Sequence, residues 1–143
     1  TDVGQLKVTP LITLTNAQIK AIHATPIELI AAPPAGYVIT IISINYSYFY
    51  GGTSVFTAGA AQNIGAYYGT GTAISTFMTN GSLIAASSRW AVGAISAITG
   101  SNATAFYAKA VNAYNPVATE ISGNAANDNY ISLKILYMIQ KYS

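Results

Sequence analysis

The 143-residue chain holds six Lys or Arg and four Asp or Glu, a net charge of +2, while 52% of its residues are hydrophobic and 11% aromatic. It has no cysteine, which excludes disulfides, thiolate metal sites and cysteine nucleophiles. The basic residues (Lys7, Lys20, Arg89, Lys109, Lys134, Lys141) form no cluster of the kind that phosphate-driven nucleic-acid binding requires.

A free soluble monomer covers itself with a surface of which roughly a quarter or more is charged. Here the charged share of the chain is 7%, and Ser, Thr, Asn, Gln and Gly make up the polar remainder. Such a surface packs readily against neighbours, so the composition is that of a subunit within an assembly. The length fits one domain spanning 1–143, able to bury about two thirds of its unfolded surface. The longest apolar stretch, Tyr37–Tyr50, is shorter than the roughly 20 residues of a membrane-spanning helix, so no membrane partner is expected. Thr1–Pro10 holds two charges and no continuous apolar core, so no secretory signal is expected there.

In chain order, Leu6–Leu14 alternates poorly around Pro10, which places it at a sheet edge or in an extended arm over 1–14. Thr15-Asn16-Ala17-Gln18 has the form of a capping box, and Ile19, Ile22 and His23 follow at helical spacing, predicting a short helical turn over Asn16–His23. Ile27–Ala31 reads as a short strand after Pro26. Tyr37–Tyr50 is the strongest strand signal: from Ile42 to Tyr48, large apolar residues alternate with Ser43, Asn45 and Ser47. Ala61–Tyr68, Ser82–Ala86, Trp90–Ile98 and Ala103–Val111 read as short strands bounded by turn residues. Ile131, Leu133, Ile135, Tyr137 and Ile139 form one face of a second clear strand. With turn signals at Pro33–Gly36, Gly51-Gly52, Gly69–Gly71, Asn80-Gly81, Gly100–Asn102 and Gly123-Asn124, the expectation is an all-β fold. Its form is an antiparallel β-sandwich or jelly roll with one short N-terminal helical turn.

Catalytic chemistry has little to work with. The carboxylates are Asp2, Glu28, Glu120 and Asp128, and His23 is the single histidine. A hydrolase would need His23 beside Glu120 or Asp128 in a cleft, yet no Gly-x-Ser-x-Gly elbow positions a nucleophile. Gly69-Thr70-Gly71 lacks the Gly-Lys ending of a phosphate loop. Glu120 and Asp128 flank the Gly123-Asn124 turn without the ligand spacing of a calcium loop. No enzyme activity, metal or cofactor is expected. Eleven tyrosines remain to be placed, with Tyr37, Tyr46, Tyr48 and Tyr50 along the longest strand. Tyrosine buries a large ring and keeps a hydroxyl for water or a partner, so this face serves either the core or an interface.

The run Leu14-Thr15-Asn16-Ala17-Gln18 leads through Thr25-Pro26 to Ala32-Pro33 and Ala35-Gly36, then into a β-branched strand ending in Tyr50-Gly51-Gly52-Thr53. Towards the end stand Asn112-Ala113-Tyr114-Asn115 and Gly123–Asn127, before an alternating strand closing on Leu136-Tyr137. Together these stretches resemble a group of small virion proteins of tailed bacteriophages, with Pro34 a departure where a small residue is the pattern. The resemblance implies a β-sandwich structural protein of the particle, made in the host cytoplasm and located in the virion. It implies no activity and carries no site residues.

Two functions are therefore weighed. The first is a non-enzymatic structural protein decorating or cementing a phage capsid, or forming the base of a fibre or spike. Its partners are copies of itself, as a trimer, and the major capsid or other virion proteins, and its candidate subunit contacts are Tyr37, Tyr46, Tyr48 and Tyr50. The second is a carbohydrate- or host-surface-binding module, with Trp90, Asn124, Asn127, Asp128 and Tyr130 as candidate glycan contacts.

Overall fold

The computed structural model describes residues 3–93, 95 and 105–142. Every strand pair in it is antiparallel. In the first sheet, β1 (Lys7–Val8) and β2 (Ile12–Leu14) lie along one side of β11 (Tyr130–Lys141), followed by β4 (Tyr37–Phe49) and β8 (Arg89–Gly93). The second sheet runs β3 (Ile27–Ile30), β9 (Val111–Tyr114), β6 (Ile64–Tyr68), β7 (Thr72–Met78). A two-stranded ribbon pairs β5 (Phe56–Thr57) with β10 (Ser122–Gly123). Two short helices, α1 (Asn16–Lys20) and α2 (Asn80–Leu83), complete the chain. The two sheets pack face to face as an all-β sandwich.

The first sheet is built on β4 and β11, which pair from Tyr130↔Phe49 to Lys141↔Tyr37. The β-branched residues on both faces of β4 have a local explanation. Leu136 pairs with Ser43 but Tyr137 pairs with Ile41, so Ile42 is the extra residue of a β-bulge. The bulge resets the alternation: Ile44 and Tyr48 face inward on one side of it, and Ile39 and Ile41 on the other. Ile42 is left 39% exposed while its neighbour in the pattern, Ile44, is fully buried. On β11, Ile131, Leu133 and Ile135 are buried opposite these residues, with Tyr137 and Ile139 packed on the same core. The second sheet contributes Leu29, Ile64, Tyr68, Ile74, Phe77, Met78 and Val111. At one side the sheets close tightly: a Cβ added to Gly93 on β8 would lie 2.9 Å from the Phe77 Cβ on β7, so glycine permits the approach.

The N-terminal segment lies at an edge and breaks at Pro10, which has no N–H to donate. Thr9 stitches the break, its backbone N–H donating to the Ile135 carbonyl and its hydroxyl accepting from the Ile135 N–H, both at 3.0 Å. Helix α1 starts with the capping box: the Gln18 N–H donates to Thr15 Oγ1 at 3.3 Å and the Thr15 N–H to Gln18 Oε1 at 2.9 Å.

Two expectations are corrected. Ser82–Ala86 is not a strand. Thr79 caps α2 there, its Oγ1 accepting from the Ser82 N–H, and the preceding strand is β7, which sequence reading passed over. The helical turn expected over Asn16–His23 is helical only to Lys20, with a turn carrying the chain through His23. Of Trp90–Ile98, Arg89–Gly93 is strand, and 94 and 96–98 lie outside the described residues. Likewise 103 and 104 of Ala103–Val111 and the Gly100–Asn102 turn lie outside them, while 105–110 form turns and irregular chain and not the expected strand, β9 beginning only at Val111.

Candidate functional site

The Asn-rich loop before β11 is built inward. Asn124, with φ of +40°, is buried and holds three chain segments together. Its side-chain N–H groups donate to the Ser54 carbonyl at 2.7 Å and to Asp128 Oδ1 at 2.8 Å, and its Oδ1 accepts from the Asn129 N–H at 3.0 Å. Asn16 Nδ2 at the start of α1 donates to the same Oδ1. Because Asn124 is fixed on both sides, Asn16 must donate, and its own Oδ1 stays buried without a partner among the described residues. Lys20 closes the network, its ammonium donating to the Asn124 carbonyl and to Asn127 Oδ1, each at 3.2 Å.

Asp128 accepts from Asn124 and, at 3.2 Å, from the Thr53 hydroxyl. The hydrogen bond from Asn124 is the main reason that its carboxyl lies below the usual carboxylate value; partial desolvation opposes it and Thr53 assists. A Cβ on Gly51 would lie 2.1 Å from the Asp128 Cγ, so the carboxylate occupies space that glycine leaves. Asn129 is buried, donating to the Tyr48 hydroxyl at 3.2 Å and to the Ser54 carbonyl at 2.8 Å.

The tyrosines of β4 divide. Tyr48 is fully buried, its hydroxyl donating to the Leu83 carbonyl at 3.2 Å, so within this chain it serves the core. Burial, with Tyr50 and Asp128 nearby, raises its pKa to about 12. Tyr46 is half-buried against Phe77, with ring centroids 5.7 Å apart. Tyr50 is half-buried where the chain leaves the sheet, and Tyr37 lies at the opposite end of β4 with the Lys141 ammonium 5.9 Å above its ring.

The open aromatic surface lies elsewhere. Phe49 and Tyr130 stack at 4.8 Å across the end of the β4–β11 pair, both exposed. Trp90 on β8 is 69% exposed. It sits opposite Ser47, which sits opposite Ser132. Two shallow hollows indent this outer face. One, of about 210 Å³, has Trp90 and Leu11 as walls and Asn45, Ser47, Ser132 and Lys134 on its floor. The other, of about 470 Å³, continues past Leu11 and Ser132 to Thr13, Asn127 and Tyr130. Of the expected glycan contacts, Asn127 and Tyr130 thus share one hollow and Trp90 lines the next, while Asn124 and Asp128 are turned into the loop network. Sequence reading did not pick out Asn45, Ser47 and Lys134. Their signal was the small polar face of the alternating strands, but their assembly needed the pairing of β4 with β11.

His23 and Glu120 are neighbours through the backbone. The His23 and Ala24 N–H groups donate to Glu120 Oε2 at 3.0 Å and Oε1 at 2.7 Å. The imidazole turns to the Asn115 carbonyl, 2.8 Å from Nδ1, and stacks on Tyr114. The carboxylate thus satisfies backbone donors left over past the end of α1. Among the described residues, no three His, Asp or Glu side chains gather where they could hold a metal ion. Nor is any helix among the described residues long and apolar enough to cross a membrane. No protein-family model, curated protein or solved structure matches the chain.

Proposed function

We propose that this chain is a non-enzymatic structural subunit of a virus particle, cementing or decorating its shell or seating a fibre, and that it works as a closed homo-oligomer. Strand pairing carries the reading. Counting β2, β3, β4, β6, β7, β8, β9 and β11 as eight strands, the first pairs with the eighth and the second with the seventh. The third pairs with the sixth and the fourth with the fifth. We read this as a long hairpin rolled on itself, a jelly roll, the architecture that recurs in capsid and lectin domains. The sparse charge noted in the sequence supports the same reading, because dry contacts between subunits then desolvate few ions.

One edge suits such contacts. β1 lies against the far half of β11, with Leu6 64% and Val8 61% exposed. Tyr142 and Tyr37 stand at the same end, where the Tyr142 N–H donates to the Gly36 carbonyl at 3.0 Å. Light scattering on the purified protein tests the proposal: a trimer is expected, reduced to monomer by Leu6→Asp with Val8→Asp. A wild-type monomer at every concentration, indifferent to assembled shells, overturns it.

The exposed Phe49–Tyr130 pair beside Asn127 favours a second reading, a module that binds host glycans. The two readings are compatible, since the contacts they need lie at different parts of the first sheet.

A further inference from the structure

We propose that the groove across the outer face of the first sheet is a binding site for an acidic oligosaccharide, with Trp90 as its stacking platform and Lys134 as the partner of the sugar carboxylate. This rests on the glycan-binding reading and names the site and ligand class that it lacks.

The walls come first. Trp90 and Leu11 face one another across β4 and β11, three strand spacings apart, which is roughly 14 Å. Trp90 offers a broad apolar ring to solvent in a sheet that has already buried its other face. An indole exposed in this way gains by covering itself with a flat apolar surface, and the C–H face of a pyranose is one.

The floor supplies the polar complement. Among the described residues, the side chains of Asn45, Ser47 and Lys134 have no hydrogen bond or ion pair, and that of Ser132 meets only Thr13 Oγ1, at 3.5 Å. An amide, two hydroxyls and an ammonium provide both donors and acceptors for sugar hydroxyls. They stand on the paired strands β4 and β11, a rigid base that limits the ordering cost of binding.

The choice of ligand follows from what the floor cannot offer. Its backbone N–H and C=O groups are committed to the ladders joining β11, β4 and β8, so an added peptide strand finds no backbone partners there. Lys134 is the one charged side chain among the lining residues of either hollow. Glu28 lies on the other sheet, Glu120 caps the backbone at His23, and Asp128 is held by Asn124 and Thr53. Among the described residues, a carboxylate-bearing sugar in either hollow therefore meets a cation and no lining carboxylate. The continuation of the groove past Leu11 and Ser132 towards Tyr130 and Asn127 gives room for further sugar units.

Trp90 is the only tryptophan in the chain, so intrinsic fluorescence reads this site directly. The whole protein is screened on an array of neutral, uronic-acid and sialic-acid oligosaccharides, and the best binder is titrated by fluorescence and calorimetry. Saturable binding is expected, up to about fivefold tighter for an acidic sugar than for its neutral counterpart, the size of an exposed ion pair. Trp90→Ala is expected to abolish calorimetric binding with unchanged Tm, Asn45→Ala to weaken it, and Lys134→Gln to remove the acidic preference alone. Binding that survives Trp90→Ala overturns this site while leaving a glycan-binding function in place. No binding to any sugar overturns both. If no sugar binds and Trp90→Ala lowers the mass in solution, the face is instead a contact between copies.

Discussion

The side-chain amide of Asn129 donates to the hydroxyl of Tyr48 at 3.2 Å, tying the loop before β11 to the middle of the sandwich. The same hydroxyl donates a hydrogen bond to the Leu83 carbonyl at the end of α2. One phenol thus joins three parts of the chain that are far apart in sequence.

Tyr48→Phe keeps the ring and removes the link. The Leu83 carbonyl loses its hydroxyl donor, while Asn129 Nδ2 keeps the Ser54 carbonyl at 2.8 Å. The expected loss is about 1–3 kcal/mol, the usual cost of leaving one buried group unpaired. Urea unfolding measures it, and a variant as stable as wild type would show that the link carries no stability.

Alkali attacks the same residue. Burial raises Tyr48 from 10.0 to about 12, and Tyr68, whose hydroxyl donates to the Ile39 carbonyl at 2.5 Å, likewise to about 12. A raised pKa in the folded state means that the stability is whole below pH 10 and drains away as pH climbs through 12. Thermal melts across that range are expected to fall steeply together with tyrosinate absorbance, and Tyr48→Phe with Tyr68→Phe to flatten the decline.

Acid acts through Asp128. Its carboxyl is held below the ordinary value of 3.8, so its contribution is present above that pH and is lost as pH falls through its lower folded value. Asp128→Asn is expected to lower Tm near neutrality and to make the melting profile below pH 4 shallower than wild type. Parallel profiles would show that another group governs the acid limb.

The bulge separates two isoleucines that the sequence treats alike. Ile44→Ala empties a fully buried position and is expected to cost about 2–5 kcal/mol. Ile42→Thr acts at the exposed bulge and is expected to cost no more than about 0.5 kcal/mol. Chemical denaturation of the two variants checks the difference, and equal losses would contradict the register.

That pair also marks how far the sequence could be read. β4 and β11 were legible because alternation and β-branching coincide in them, and α1 because its capping box is local. The bulge was hidden, since apolar residues on both faces read equally as a fully buried strand. β7 was missed because Ile74, Phe77 and Met78 do not alternate, its register with β6 shifting twice. The candidate site depended on distant partners. Asn16 and Asn124 meet across 108 positions, and no local pattern shows whether an Asn-rich loop points its amides outward or into a network. Asn127 and Tyr130 could be singled out by residue type, whereas the groove floor appeared only once Asn45 and Ser47 were paired with Lys134 and Ser132.

Thr13 and Ser132 lie side by side in the first sheet although 119 positions separate them. During synthesis β4 therefore waits for its principal neighbour until β11 has left the ribosome, and the arm waits for its edge. Contacts this distant in sequence close slowly. A chain stopped before Tyr130 leaves Ile39, Ile41 and Ile44 uncovered, with nothing for β1 or β2 to join. The edge at β1 therefore takes shape only once β11 is in place, so the last strand of the first sheet also fixes its first.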